Sequence, residues 1–267
     1  MGQEEALTGF LVPRSPNFAS RAMVDVNSAV GELDAVLREV GSPDRAEAEK
    51  RYLKSDLEFY GVSVPATRRT VKAFLADHVL DHAGLVAVVS ALWAEPVHER
   101  RLAAVLLLEG RSELLEPDDV ALIEQLLRQS KTWALVDVLA ASVAGPLMDR
   151  SPDADATLDR WAADDDFWIR RSALLTHLGP LRSGHGDFER FGRYADAMLE
   201  EKEFFIRKAI GWVLRDTARR RPSLVYDWLA PRAHRASGVT VKEAVKRLPE
   251  SEAEEIREAY KTKTPIY

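Results

Sequence analysis

The sequence predicts an all-α protein in which helical hairpins stack into a solenoid, and three observations carry that prediction. Apolar residues recur at helical spacing along most of the chain. No run alternates apolar and polar residues for long enough to suggest a sheet. A pattern also repeats: His98, Trp133, Trp168, Phe205 and Thr240 open similar segments at intervals of 35, 35, 37 and 35 residues. One hairpin cannot cover its own apolar side, so a two-helix period of this length calls for stacked neighbours and leaves one concave face. A helical bundle without repeats is the alternative at this level.

The elements follow in order. Residues 1–22 hold Pro13 and Pro16 with little periodicity and are expected to form a loose leader. From 24 to 40, Val26, Ala29, Val30, Leu33, Val36 and Leu37 fall on one helical face, and Gly41-Ser42-Pro43 ends it. A second helix is expected over 44–57 and a turn over 61–65. Further helices are expected near 66–80, 84–94, 97–109, 117–129, 131–148, 153–163 and 166–178. The series continues over 187–200, 203–220, 222–234 and 239–248. Pro96, Pro117, Pro152 and Pro222 stand at helix starts, where a missing N–H does no harm. Residues 23–250 therefore read as a single repeat domain, and 251–267 as a C-terminal tail.

Composition narrows the function. Hydrophobic residues at 46% and charged residues at 30% give the balance of a soluble globular chain. No apolar stretch is long enough for a membrane helix, and Met1-Gly2-Gln3-Glu4-Glu5 does not resemble a secretory signal, so a cytoplasmic protein is expected. Absence of cysteine excludes disulfides, thiolate metal sites and cysteine nucleophiles. The six histidines are given no ligand role, and no metal is expected. A net charge of −6 argues against a polyanionic partner, but the charges segregate. Acidic residues cluster at Asp164-Asp165-Asp166, Glu200-Glu201 and 250–255, the first of these read as a helix cap. The repeat brings Arg100-Arg101, Arg170-Arg171, Arg207-Lys208 and Lys242 to equivalent positions on one face. Such a stripe suits a nucleic acid backbone. The competing reading is a solvated face of local pairs such as Glu203 with Arg207.

One segment carries a more specific signal, Lys202-Glu203-Phe204-Phe205-Ile206-Arg207-Lys208-Ala209-Ile210-Gly211-Trp212-Val213-Leu214-Arg215. Arg51-Tyr52-Leu53-Lys54, Phe59-Tyr60-Gly61-Val62, Ser130-Lys131-Thr132-Trp133 with Val136-Asp137, and Phe167-Trp168-Ile169-Arg170-Arg171 accompany it in order. Together they resemble the AlkD-type DNA alkylation repair proteins over about residues 24–248. The resemblance implies a curved array of HEAT-like repeats with a concave basic DNA-binding face. It implies a monofunctional DNA glycosylase that removes cationic N3- or N7-alkylated purines, bulky adducts among them, by contacting the deoxyribose. No cofactor is implied, and the partner is double-stranded DNA bound by a monomer, which would be nucleoid-associated through that DNA. The alternative is a non-catalytic HEAT-repeat module that binds DNA or protein.

Carried over by position, the resemblance implies that Trp133, Asp137 and Trp212 form the catalytic cleft. It implies that Arg171 contacts the DNA backbone near the lesion and that Tyr52 faces DNA. Lys131, Arg170, Arg207, Lys208, Arg215 and Lys242 are the further expected DNA contacts. Ser63 stands where family members carry Gln, at a position facing the duplex, and its shorter side chain leaves lesion preference open. Trp133 and Asp137 are four residues apart and so share a helical face. No lysine stands at a matching catalytic position, which is why base removal without strand cleavage is expected. Trp93, Trp161 and Trp228 are read as packing residues.

Overall fold

Eight of the sixteen α-helices among the described residues begin where a side-chain oxygen accepts a free backbone N–H. Asp25, Ser63, Asp81, Thr132, Asp166, Asp187, Glu203 and Ser237 each cap a helix in this way. The computed structural model describes residues 25–266, so the leader expected at 1–22 lies outside the described residues. The first helices are α1 (Val26–Glu39), α2 (Pro43–Leu53), α3 (Val64–Asp77), α4 (His82–Ala94) and α5 (His98–Gly110). Then come α6 (Val120–Ser130), α7 (Trp133–Val138), α8 (Gly145–Met148), α9 (Ala154–Ala162), α10 (Phe167–Leu175) and α11 (Leu178–Arg182). The last are α12 (Phe188–Ala197), α13 (Phe204–Thr217), α14 (Pro222–Leu229), α15 (Gly238–Ala244) and α16 (Glu250–Thr262). Among the described residues extended pairing is confined to an isolated bridge between Glu58 and Val97. The expected all-α solenoid of helical hairpins is borne out.

Three local features depart from the sequence expectation. The second helix stops at Leu53, because Lys54 turns left-handed at φ 49°. The helix expected over 131–148 is one rod with a wide π-turn, Leu139–Ala144, between α7 and α8. Pro146 supplies the reason. It has no N–H for the carbonyl four residues back, and its ring crowds that carbonyl, so the preceding turn widens. The segment 251–267, expected to trail as a tail, instead forms most of α16, whose Ala253, Ile256 and Ala259 are buried. Those three positions have helical spacing, which the acidic residues around them hide.

Consecutive repeats are laced by side chains one period apart. The Trp93 indole N–H donates to Gln129 (2.8 Å), and the Trp161 indole to Glu124 (2.8 Å). Arg128 reaches Asp164, and Tyr194 donates to Asp159, across 36 and 35 residues. Below these bonds runs a continuous apolar core containing Leu107, Leu127, Leu135, Trp161, Leu174, Phe191 and Ile210, all fully buried. Each such large side chain contributes roughly 1.5–3 kcal/mol on burial. His78 and His82 are four apart, yet they diverge: His78 ends α3 and meets Glu32, while His82 opens α4 and meets Asp119.

Helix α13 packs closely on α15. Gly211 permits it, since an added Cβ would lie 2.9 Å from the Thr240 carbonyl and 2.7 Å from the Glu243 Cβ. The Thr240 hydroxyl also donates to the Arg207 carbonyl at 3.1 Å. Gly211→Ala is therefore expected to lower the unfolding free energy by about 1–3 kcal/mol, as overpacking does. Urea unfolding checks this; an unchanged midpoint would mean that α15 yields without cost.

Candidate active site

Helical phase places the chemistry. Thr132 caps α7, so Trp133 is its first residue and Asp137, four residues on, lies above it on the same face. On α13, Lys208, Trp212 and Arg215 share a face by the same rule. Tyr52 comes from the end of α2, and Arg171 from α10. These seven side chains line one open cleft of about 410 Å³, with Phe204 and Phe205 completing its wall. Trp133, Asp137 and Trp212 are thus brought together, as the sequence led one to expect.

At the base of the cleft sits Arg171, its side chain only 3% exposed. Its Nε and one terminal nitrogen donate to the two oxygens of Asp137, at 2.8 and 2.9 Å. Its other terminal nitrogen donates to the backbone carbonyl of Phe205. The guanidinium also lies 5.9 Å from the Phe205 ring centre. Arg171, expected to meet DNA backbone, therefore holds the Asp137 carboxylate in this structure. The carboxylate oxygens have roughly four acceptor directions between them, and Arg171 takes two.

The mouth is aromatic. Tyr52, 72% exposed, stands edge-on to Trp133 with ring centres 6.1 Å apart. Across from it Phe204 is 53% exposed and packs at right angles on Phe205. Phe204 is a cleft residue that sequence reasoning did not single out, although it lies inside the matched segment.

The other expected DNA contacts are distributed unevenly. Lys208 and Arg215 line the cleft, and both donate at 2.6 Å to Glu243 of α15. Arg170 pairs with Glu201 at 3.0 and 2.8 Å, and Arg207 donates to the Glu201 carbonyl at 2.6 Å. Lys131, in a left-handed turn after α6, reaches Asp166 at 3.3 Å but remains exposed. Lys242 is exposed on α15. Ser63 is not among the cleft residues; its hydroxyl accepts the Ala66 N–H at 3.3 Å and caps α3. Arg100 and Arg101 bond to Asp34 and to the Gln129 carbonyl.

Glu243 was not legible as a site residue. Burial alone would push its carboxyl up, but hydrogen bonds and charge from Lys208 and Lys246 outweigh that and hold it at about 2. Its sequence signal was the interval: Glu243 stands 35 residues after Lys208, the spacing of the repeat itself.

A family model for DNA alkylation repair enzymes matches residues 33–248. The chain belongs to that family. The AlkD-type resemblance of the sequence is thereby borne out, and the protein is a DNA alkylation repair enzyme by family. Solved structures agree on the fold. A "predicted DNA alkylation repair enzyme" from Enterococcus faecalis has a TM-score of 0.65 at 21% identity, over 79% of this chain and 97% of that one. AlkD2 from Streptococcus mutans has a TM-score of 0.53 at 15% identity, over 84% and 99%. Among curated proteins none matches the chain significantly.

The position of Glu243 gives this repair enzyme an acid sensitivity with a defined window. Its folded carboxyl lies below the ordinary 4.5, at about 2, so the unfolded chain binds the proton more readily. The stability it contributes is complete above pH 4.5 and is lost as pH falls toward about 2. Glu243→Gln is expected to make unfolding free energy less dependent on pH across that window. Equal pH slopes for the two proteins in urea titrations would contradict the assignment.

Proposed function

We propose that this protein is a DNA glycosylase that hydrolyses the N-glycosidic bond of cationic N3- or N7-alkylated purines in duplex DNA. One observation carries the reading: a single carboxylate, Asp137, shares an open cleft with the indoles of Trp133 and Trp212. Alkylation at these nitrogens makes the purine a cation, which departs as a neutral molecule and needs no general acid. Positive charge then builds on the deoxyribose. Asp137 faces that charge, and its remaining acceptor directions can orient the attacking water. The indole faces attract the same cationic sugar by roughly 0.5–2 kcal/mol per favourable contact. Arg171 holds the carboxylate in place before substrate arrives.

The openness of the cleft supports contact with the sugar from outside the base stack, so a bulky adduct need not fit a closed pocket. Lys208 does enter the cleft, where a lysine could in principle form a Schiff base. Its ammonium group is hydrogen-bonded to Glu243 and is not presented as a free amine. Base removal without strand cleavage is therefore the reading retained.

The test is base release from duplexes carrying N7-methylguanine and a bulky N7 adduct. Asp137→Asn is expected to slow release by about 10²–10³-fold while duplex affinity persists. Wild-type protein that binds such duplexes but leaves no abasic sites would overturn the proposal in favour of a binding module.

A further inference from the structure

Lys208 and Arg215 are seven residues apart on α13, which separates their backbones by about 10 Å along the helix. Trp212 stands between them. Two cations on one helix face repel, and in water each would turn outward separately. Here their heads converge on the Glu243 carboxylate, while the Arg215 Nε also donates to Asp216 at 3.1 Å. The Lys208 ammonium donates to one Glu243 oxygen at 2.6 Å, and the Arg215 guanidinium donates to the other at 2.6 Å. Lys246 donates to the first oxygen as well, at 2.7 Å. The arrangement is layered: the Glu243 side chain is 6% exposed, whereas Lys208 and Arg215 are 40% and 25% exposed. The anion lies behind and the cations face the cleft. Asp216 is itself met by Arg182 and Arg219, so five cations surround two carboxylates and leave the cluster net positive.

We propose that Glu243 is a positioning residue that gathers Lys208 and Arg215 into a seat for one DNA backbone phosphate beside Trp212. Both cations keep donors that Glu243 does not use, since an ammonium has three and a guanidinium five. The two non-bridging oxygens of a phosphodiester match a pair of cationic heads held about one carboxylate apart. A phosphate fixed there sets where the adjoining deoxyribose lies along the line from Trp212 to Asp137. The part concerning the sugar rests on the glycosylase reading; the phosphate seat does not. Gly211 serves the same geometry, because the close approach of α13 and α15 brings Glu243 within reach.

The experiment measures affinity for an undamaged duplex as a function of sodium chloride, together with single-turnover base release from a duplex bearing N7-methylguanine. Wild type and Glu243→Gln are compared in the native background and in a Lys208→Ala/Arg215→Ala background. Glu243→Gln is expected to weaken binding about tenfold in the native background, the scale of one charge-assisted hydrogen bond. The slope of log affinity against log salt is expected to become shallower by about one. In the double-alanine background the substitution is expected to have no further effect. Tighter binding with a steeper slope would overturn the proposal, since Glu243 would then only mask positive charge. An undiminished effect in the double-alanine background would also overturn it. If Glu243→Gln melts below the assay temperature, Glu243→Asp replaces it: it keeps the charge, shortens the reach, and is expected to weaken binding likewise. Absence of base release by wild type, with the binding results as expected, would remove the glycosylase reading and leave the phosphate seat standing.

Discussion

The bond that organises the rest of the molecule is the two-pronged contact of Arg171 with Asp137. Arg171 lies on α10 and Asp137 on α7, 34 residues earlier, and a third donor of the same guanidinium reaches the Phe205 carbonyl on α13. One buried side chain thus ties three successive repeats at the bottom of the cleft. An ion pair at this depth is stable only when its donors and acceptors are satisfied, and the flat guanidinium achieves that with the carboxylate and one carbonyl. Lysine could not, because a single ammonium lacks the paired geometry. The carboxylate is consequently fixed in direction by folding. On the proposed glycosylase reading its orientation would require no rearrangement when a substrate arrives, which is the condition under which electrostatic stabilisation is most effective.

The same one-period step recurs along the solenoid and resolves an apparent conflict over charge. A chain with net charge −6 belongs to a family that repairs DNA. Much of the acidic charge is directed at cations of a neighbouring repeat: Asp164 at Arg128, Glu201 at Arg170, Asp216 at Arg182, Asp196 at Arg232. These pairs stitch the repeats and have little influence beyond a screening length. What a nucleic acid would meet is local. In the cleft that means Lys208 and Arg215 in front of Glu243; Lys131 and Lys242 are exposed elsewhere on the described surface.

Helical phase explains what could be read in advance. Trp133 with Asp137, and Lys208 with Trp212 and Arg215, share faces for reasons internal to one helix, so spacing alone places them. The repeat interval placed α7, α10, α13 and α15 in equivalent positions, which brought Arg171 toward the cleft. Its partner could not be read, because which of several carboxylates an arginine meets depends on the rotation between repeats. Glu243 escaped for the same reason. Ser63 illustrates the converse: a position carried over from relatives is occupied here by a residue whose hydroxyl serves as a helix cap. The π-turn of 139–144 was legible only through Pro146, since no apolar pattern marks a widened turn. α16 was obscured by acidic residues that outnumber its three buried positions.

The π-turn also bears on the site. A regular helix continuing from α7 through α8 would advance by 100° per residue without interruption, and one face could not serve both ends of the rod. Asp137 must face the cleft while Leu139, Ala140, Val143, Ala144 and Leu147 are completely buried. The wide turn adds residues without adding a full rise, so it changes the phase between the end bearing Asp137 and the end bearing Leu147. At that second end Gly145 packs against the next repeat, where a Cβ would lie 2.8 Å from the Thr176 carbonyl. Tight packing at Gly145 and outward presentation of Asp137 are therefore reconciled by one irregular turn. A straightened rod would have to give up one of them.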